Sequence, residues 1–448
     1  MVDAAIGAAE LAVLFLASLV LWRLPRGVSN LAIGLAAWSL ARALSPERYG
    51  AEVVEGGRTA MAAAVFADPS AGVDHGVTVA QVPLPDPSSG QILVRVQAAG
   101  LNPSNFKINM ARIPFARHLK APVVGYDCAG VALSVGSDCA GGGIAVGDEI
   151  YGFAGGSIAE FAVLDCAKAA KKPRSLTPSE AAGLPVAALT SLMALERSGV
   201  REGHRVLVLG ASGGCGVFGV ALAKLKGAHV TGVCSTKNVD FVRSLGADSV
   251  VDYRNEEEMA ALVAAGAEFD VIYDTVTSFA PEDPDYEPSM RPLLRHGHAG
   301  KQRHQENVGT RDTDQKSSGY DEVVTAIEGD RYVAINGAQS DWRNMMLEQF
   351  IIRPLGLDWR VQRPGYDLFL LSPTKASLES LASMFDAVDL KLPDGFIEAR
   401  YPLSGVDLVE DTVQLHAAFE KMKSRRTRGK IVFELPGAVG TAAGGAGR

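Results

Sequence analysis

The apolar positions of this chain change period around residue 214. The run Val206-Leu-Val-Leu209 is continuously β-branched or aliphatic, the pattern of a short strand buried on both faces. Beyond Gly214 the apolar residues fall at Val217, Val220, Ala221 and Leu225, a helical spacing that stops at Gly227. Residues 229–233 restore the strand pattern, so the three segments predict a βαβ unit. Residues 269–274 and 331–336 read as further buried strands. Residues 178–195, 377–388 and 413–422 read as helices. Residues 430–434 read as a closing strand that returns to the first domain. Upstream the runs at 58–67, 77–87 and 92–98 are short and separated by Pro, Ser and Gly, which predicts a small β-barrel-like domain ahead of the βαβ unit. Residues 342–359 are amphipathic, and their Met345, Met346, Leu347, Phe350 and Ile351 predict core or a subunit contact.

Between the strand and the helix lies Gly214-x-Gly216-x-x-Gly219. In a dinucleotide loop the first glycine permits a tight turn, the second lets the backbone approach a pyrophosphate, and the third lets helix and strand pack closely. The helix N-terminus then offers N–H groups and a partial positive charge to the phosphates. Gly210, Ser212, Gly213, Gly214, Cys215, Gly216 and Val217 are therefore the candidate phosphate contacts. No Gly-Lys-Ser/Thr follows, which excludes a nucleoside triphosphate P-loop. The second strand runs into Cys234-Ser235-Thr236-Lys237 with no Asp or Glu at its end. A carboxylate there would bind the ribose hydroxyls of NAD. A hydroxyl pair and a lysine instead predict a 2′-phosphate, hence NADPH. Lys237 has a second reading, an exposed lysine opening the next helix.

Residues 4–24 are almost wholly apolar, broken by Glu10, and Arg23 and Arg26 follow. That is about the length that spans a bilayer. A secretory signal fits poorly, because Asp3 stands where a basic n-region belongs. Three readings stay open: a helix in or on a membrane, a cleaved targeting segment, or a helix buried against a partner. The net charge of −8 argues against a nucleic-acid partner. Five cysteines without a CxxC spacing predict free thiols in a reducing compartment. For Cys215, inside the dinucleotide loop, a small residue that fits is preferred to a redox sensor. Residues 278–330 are longer than a usual connection, and His296, His298 and His304 in it read as a solvated loop rather than a metal site.

Six blocks in order then carry a family resemblance: Gly100-Leu-Asn102-Pro-Ser104, Gly125-Tyr126-Asp127-x-Ala-Gly130, Val146-Gly-Asp148-Glu-Ile-Tyr-Gly152, the loop 210–219, Ser244-Leu-Gly246-Ala-Asp248 through Tyr253, and Ala418-Phe-Glu420 through Arg428-Gly429-Lys430. Across residues 61–435 the chain resembles the zinc-independent medium-chain dehydrogenase/reductases of the quinone-oxidoreductase branch, and is most similar to the reticulon-interacting mitochondrial oxidoreductases. The resemblance implies an α/β fold: a Rossmann doubly wound parallel sheet inserted into a GroES-like β domain, here with an N-terminal apolar helical extension. The expected divisions are 1–58 for the extension and 59–185 for the first part of the GroES-like domain. The Rossmann domain takes 186–365, the return to the GroES-like domain 366–435, and a disordered tail 436–448.

Zinc-dependent relatives carry a cysteine ligand in the first block and Gly-His-Glu in the second. Here Asn102 and Tyr126-Asp127 stand in those places, so no metal is expected. The resemblance places Asn102, Tyr126 and Thr190 around the nicotinamide and acceptor, and adds Tyr253, Gly337 and Phe369 to the dinucleotide contacts of Ser235 and Lys237. Thr190 keeps a structural reading, a helix threonine bonding back to a carbonyl, and Asn102 that of a turn residue before proline. The expected activity is NADPH-dependent hydride transfer to a quinone-like conjugated carbonyl in an organelle, mitochondria favoured, with membrane association through the N-terminus and self-association both open. Two alternatives stand beside it. One is an accessory subunit of an organellar membrane complex that keeps the fold and NADPH for structure. The other is an enoyl-thioester reductase, whose tyrosine is missing from residues 111–115.

Overall fold

The computed structural model describes residues 58–66, 77–107, 123–139, 141–264, 268–276, 287–290, 293–294, 331–335, 366–368, 371–387 and 392–436. Among these residues the chain forms a two-stranded ribbon and two six-stranded sheets. The ribbon pairs β1 (Ala60–Phe66) with β2 (Val77–Pro83) antiparallel. The first large sheet follows the order β13 (Ile397–Pro402), β14 (Lys430–Glu434), β3 (Gln91–Leu101), β4 (Asp127–Val135), β5 (Glu149–Ala154), β6 (Phe161–Lys171). An additional β3–β6 pairing curls it on itself as a partly closed barrel. Its interior is filled by alternate residues such as Ile92, Val94, Val96, Ile150, Leu164, Ile431 and Phe433.

The second sheet is parallel, in the order β12 (Tyr366–Leu368), β11 (Arg331–Ala334), β10 (Val271–Asp274), β7 (Arg205–Leu209), β8 (His229–Cys234), β9 (Ser249–Asp252). The chain leaves β7 in opposite directions along the sheet, so the switch point of this doubly wound order lies between β7 and β10. The sheet is covered on both faces. Val206, Val208, Val230, Val271 and Tyr273 pack with α3 (Pro185–Arg197) and α4 (Gly214–Leu225). Leu207, Leu209, Ile272 and Tyr332 turn the other way, toward Leu262 of α6 (Glu256–Ala264) and Met290 of the short α7 (Glu287–Met290). That two-sided burial explains why the strands read as unbroken apolar runs. The remaining helices are the single turn α1 (Ser104–Lys107), α2 (Pro178–Ala182), α5 (Val239–Ser244), α8 (Lys375–Ala387) and α9 (Leu408–Lys423). Thr177 and Glu180 form a capping box at the start of α2, and Asp407 caps α9.

The parallel sheet is inserted into the barrel, because β13 and β14 return to it after β12. The boundary expected at residue 365 is too early: Tyr366–Leu368 pairs in parallel with β11 and belongs to the dinucleotide sheet. Its three residues are too short for a readable alternation. The expectation of five free thiols is also corrected. Cys139 and Cys166 form a disulfide with Cα atoms 5.7 Å apart, leaving Cys128, Cys215 and Cys234 free. Their 27-residue separation hides the pairing in the sequence, whereas the register of β3 creates it. Asp138 N–H donates to Ser89 O and Cys166 N–H to Gly90 O, which sets the two cysteines on either side of the same turn. The N-terminal extension, the histidines at 296, 298 and 304, the segments 342–359 and 111–115, and nearly all of the tail lie outside the described residues. No helix among the described residues is long and apolar enough to cross a membrane.

Candidate functional site: a dinucleotide loop facing a buried polar cluster

The loop between β7 and α4 is built almost entirely from backbone. Gly210 takes φ +74°, where a Cβ would also meet Thr275 Oγ1 and Val276 Cγ2 at 2.6 Å. The end of β10 thus buttresses the turn, and Thr275 Oγ1 donates to Leu209 O at 2.7 Å. Gly213 N–H closes the turn onto Gly210 O, and Gly213 is the N-cap of α4 with no side chain to cap it. The first-turn N–H groups of α4 therefore have no side-chain acceptor. A Cβ on Gly216 would stand 2.1 Å from Gly210 O, and one on Gly219 would stand 2.7 Å from the Tyr273 ring. The tight turn therefore belongs to Gly210 rather than Gly214. Gly216 admits the loop's own carbonyl, and Gly219 brings α4 onto the sheet. Burial pushes the Cys215 thiol up to about 11, so this cysteine is a packing residue rather than a ready thiolate.

Ser212, Ser235 and Asn238 converge at the end of β8. Asn238 Nδ2 donates to Ser212 Oγ at 3.0 Å and to Ser235 Oγ at 3.3 Å. Lys237 is exposed beside them. Tyr253 is half exposed and its N–H donates to Cys234 O, which holds it at the same edge. Asp252 pairs with Cys234 across β8 and β9, so a carboxylate does reach this edge from the neighbouring strand. It is already engaged: the Thr236 hydroxyl and the Arg254 N–H hold it below the usual carboxylate range. Gly337 and Phe369 lie outside the described residues.

The buried polar cluster is built from side chains contributed by distant segments. Asn102 follows the last residue of β3, and its N–H donates to Asn105 Oδ1 at 2.7 Å while the Asn105 N–H donates back to Asn102 O, a reciprocal pair that closes the turn over Pro103. Its side chain is buried, with Nδ2 donating to Asp127 Oδ2 at 2.9 Å and Oδ1 accepting from Lys430 Nζ at 2.5 Å. Asp127 Oδ1 accepts the Val186 N–H in the first turn of α3 at 2.9 Å. Burial pushes the Asp127 carboxyl up, opposed by Lys430, the Asn102 amide and the Val186 N–H. Tyr126 is half-buried next to Asp127, and burial raises its phenol, so it stays protonated. Thr190 lies one turn beyond Val186 on α3, and no hydrogen bond of its hydroxyl occurs among the described residues. The back-bonding residue is its neighbour: Ser191 Oγ reaches Ala187 O, Cys215 O and Tyr273 Oη.

Asn102 is thus joined to Asp127 and Lys430 in one buried cluster that also holds the start of α3, while Tyr126 and Thr190 adjoin it through their chain neighbours Asp127 and Val186. Asp127, Lys430, Asn238 and Asn105 are the members the sequence reading did not assign. A lysine opening the apolar run Lys-Ile-Val-Phe was the legible signal for Lys430, since buried lysines are rare unless paired. Among the described residues no group of three His, Cys, Asp or Glu is placed to hold a metal.

Two family models match the chain: the alcohol dehydrogenase GroES-like domain over residues 88–174 and the zinc-binding dehydrogenase over residues 214–283. The chain is 37% identical over 214 residues to the chloroplast envelope quinone oxidoreductase homolog of Arabidopsis thaliana, covering 45% of this chain and 63% of that one. It is 36% identical over 211 residues to the mitochondrial NAD(P)H oxidoreductase RTN4IP1 of Homo sapiens, covering 42% and 52%. The matches thus span between half and two thirds of these relatives. Among solved structures, the quinone oxidoreductase from Coxiella burnetii superposes with a TM-score of 0.59 at 22% identity, over 84% of this chain and 99% of the other, a likeness of fold.

Proposed function

We propose that the chain is a medium-chain dehydrogenase/reductase of the quinone-oxidoreductase branch, an NADPH-dependent oxidoreductase that reduces a quinone or similar conjugated carbonyl without zinc. The observation that carries the reading is the start of α4, a glycine-built helix N-terminus at the switch point with no side chain of its own to satisfy it. That cradle fits a pyrophosphate, with the N–H groups of Gly214, Cys215 and Gly216 as its donors. Ser212, Ser235 and Lys237 would hold the 2′-phosphate, and Tyr253 would flank the adenosine end. The engagement of Asp252 by Thr236 and Arg254 supports a phosphate over free ribose hydroxyls, since this carboxylate is already taken.

Bound NADPH would supply the hydride, so the protein needs neither a nucleophile nor a Lewis acid of its own. Its residues bind, orient and exclude water. Asn102 and Thr190 shape the acceptor side of the junction, and Tyr126 keeps a proton on its phenol oxygen. Asn102 and Tyr126, standing where zinc ligands would be, support the metal-free reading. Location in an organelle, with mitochondria favoured, is part of this proposal, in line with the names of the two relatives. So are membrane association through residues 4–24 and self-assembly.

The test is NADPH oxidation by the purified full chain with a series of small para-quinones and enones, together with cofactor-binding titrations. Turnover of quinones is expected. Full NADPH occupancy without oxidation of any acceptor would overturn the enzymatic reading in favour of a subunit that keeps the cofactor for structure.

A further inference from the structure

Lys430 is 2% exposed at the first position of β14. Its ammonium has three donors, and all three are used: on Leu101 O at 3.2 Å, Asn102 Oδ1 at 2.5 Å and Asp127 Oδ2 at 3.3 Å. The Asn102 amide is therefore pinned at both ends, oxygen toward Lys430 and nitrogen toward Asp127, with no flipped alternative. The same residue also touches the dinucleotide loop. Gly429 pairs with Gly213, and its N–H donates to Ser212 O at 2.8 Å. The Lys430 stem lies over Gly214, whose added Cβ would stand 3.2 Å from Cδ. One dipeptide thus holds the loop by its backbone and the acceptor-side turn by its ammonium.

A buried ion pair is a poor device for stability alone, since a packed apolar pair does as well or better. Its strength is fixed geometry. The geometry points to Lys430 as a positioning residue that sets the Asn102 turn in register with the dinucleotide loop, so that acceptor and nicotinamide meet at reacting distance. This rests on the hydride-transfer reading of the junction. Lys430 touches neither reactant. It acts through Asn102.

The experiment compares wild type, Lys430→Met and the charge-balanced Asp127→Asn/Lys430→Met in the full chain. Three quantities are read: NADPH affinity by fluorescence titration, single-turnover NADPH oxidation by a small quinone, and hydrogen exchange in residues 99–105 with and without NADPH. The double variant removes both buried charges, so its melting temperature should recover relative to Lys430→Met. Its hydride transfer should remain about 10²-fold slow, the cost of a misplaced reactant, with NADPH affinity unchanged. NADPH should slow exchange in 99–105 of wild type and not of either variant. Full recovery of the rate in the double variant would reduce Lys430 to a charge balancing Asp127 and overturn the proposal. So would NADPH-dependent protection that persists in both variants. If wild type binds NADPH but transfers no hydride, the exchange measurement alone decides. Protection lost in the variants upholds the linkage while the enzymatic reading falls.

Discussion

The two sides of the junction are made of different material. The dinucleotide side is backbone: Gly210 at positive φ, a side-chain-free N-cap, and glycines that admit a carbonyl and an aromatic ring. Its parts are neighbours in sequence, and what matters about each is the absence of a Cβ. The polar-cluster side is side chain: Asn102, Asp127 and Lys430 come from the turn after β3, from β4 and from β14, with 328 positions separating the first and last. A backbone cradle suits a constant group such as a pyrophosphate, because no side chain can be exchanged. A side-chain cluster can be retuned one residue at a time.

The sharpest way to break this contrast is to give the cradle a side chain. Gly216→Val places Cβ against the Gly210 carbonyl, a backbone atom that cannot move aside. NADPH binding should be lost altogether, and destabilisation should exceed the ~1–3 kcal/mol of ordinary overpacking. A titration with a chemical melt checks both. Retained binding would mean the loop is not the cofactor's seat.

Removing a hydroxyl separates the neighbours Thr190 and Ser191. Ser191→Ala strips one hydroxyl from contacts with Ala187 O, Cys215 O and Tyr273 Oη, and should cost about 1–3 kcal/mol by leaving buried partners unmet. Thr190→Val keeps the shape and should change stability by less than ~0.5 kcal/mol. Its effect should appear instead in the quinone kinetics. An equal stability loss for both would place Thr190 in the same network.

Lys237→Ala tests the outer rim of the cradle. It should weaken NADPH by about 1–2 kcal/mol, as for a charge-assisted contact, and leave NADH nearly unchanged. Equal losses for the two cofactors would remove Lys237 from the 2′-phosphate.

The smallest expected effect is in acid stability, where the exposed Asp248, at the far end of α4 from the loop, and the buried Asp127 of the polar cluster have opposite signs. Burial alone would raise Asp248, but Lys224 and the Val230 N–H together hold its carboxyl below the usual range. Its folded value lies below the unfolded one, so its contribution is present above the ordinary carboxylate pKa and lost as pH falls through the folded value. Asp127, raised by burial, opposes folding once pH exceeds its unfolded value, so acid relieves it. Melting temperature between pH 7 and the acid limb should fall less steeply for Asp248→Asn and more steeply for Asp127→Asn. Parallel curves would deny both shifts.

The same contrast decides what could be read in advance. The βαβ unit, the parallel sheet and its insertion into the barrel were legible, because two-sided burial writes long apolar runs and a glycine loop is local. Gly214 was assigned the turn that Gly210 makes, since both conform to a glycine spacing and only φ distinguishes them. Asp127 and Lys430 stood in recognisable blocks, yet their pairing follows from the register of β14 on β3, which no local pattern encodes. The Cys139–Cys166 bond was missed for the same reason: β3 lies between the segments that carry it. The end of β8 carries no carboxylate of its own, and Asp252 reaches that edge because strands adjacent in the sheet are separated in the chain by a helix.

The position of β14 also governs the order in which the molecule can be made. This strand lies between β13 and the C-terminal half of β3, and the residue just before it, Gly429, closes on Ser212. Leu101 and Lys430 are 329 positions apart, which at ribosomal speed is roughly 15–70 s of synthesis. Throughout that interval residues 98–101 present an unpaired apolar edge, a template for mispairing. A nascent chain acquires neither the full six-stranded barrel sheet nor the Gly429 contact on the glycine loop until this late strand is made.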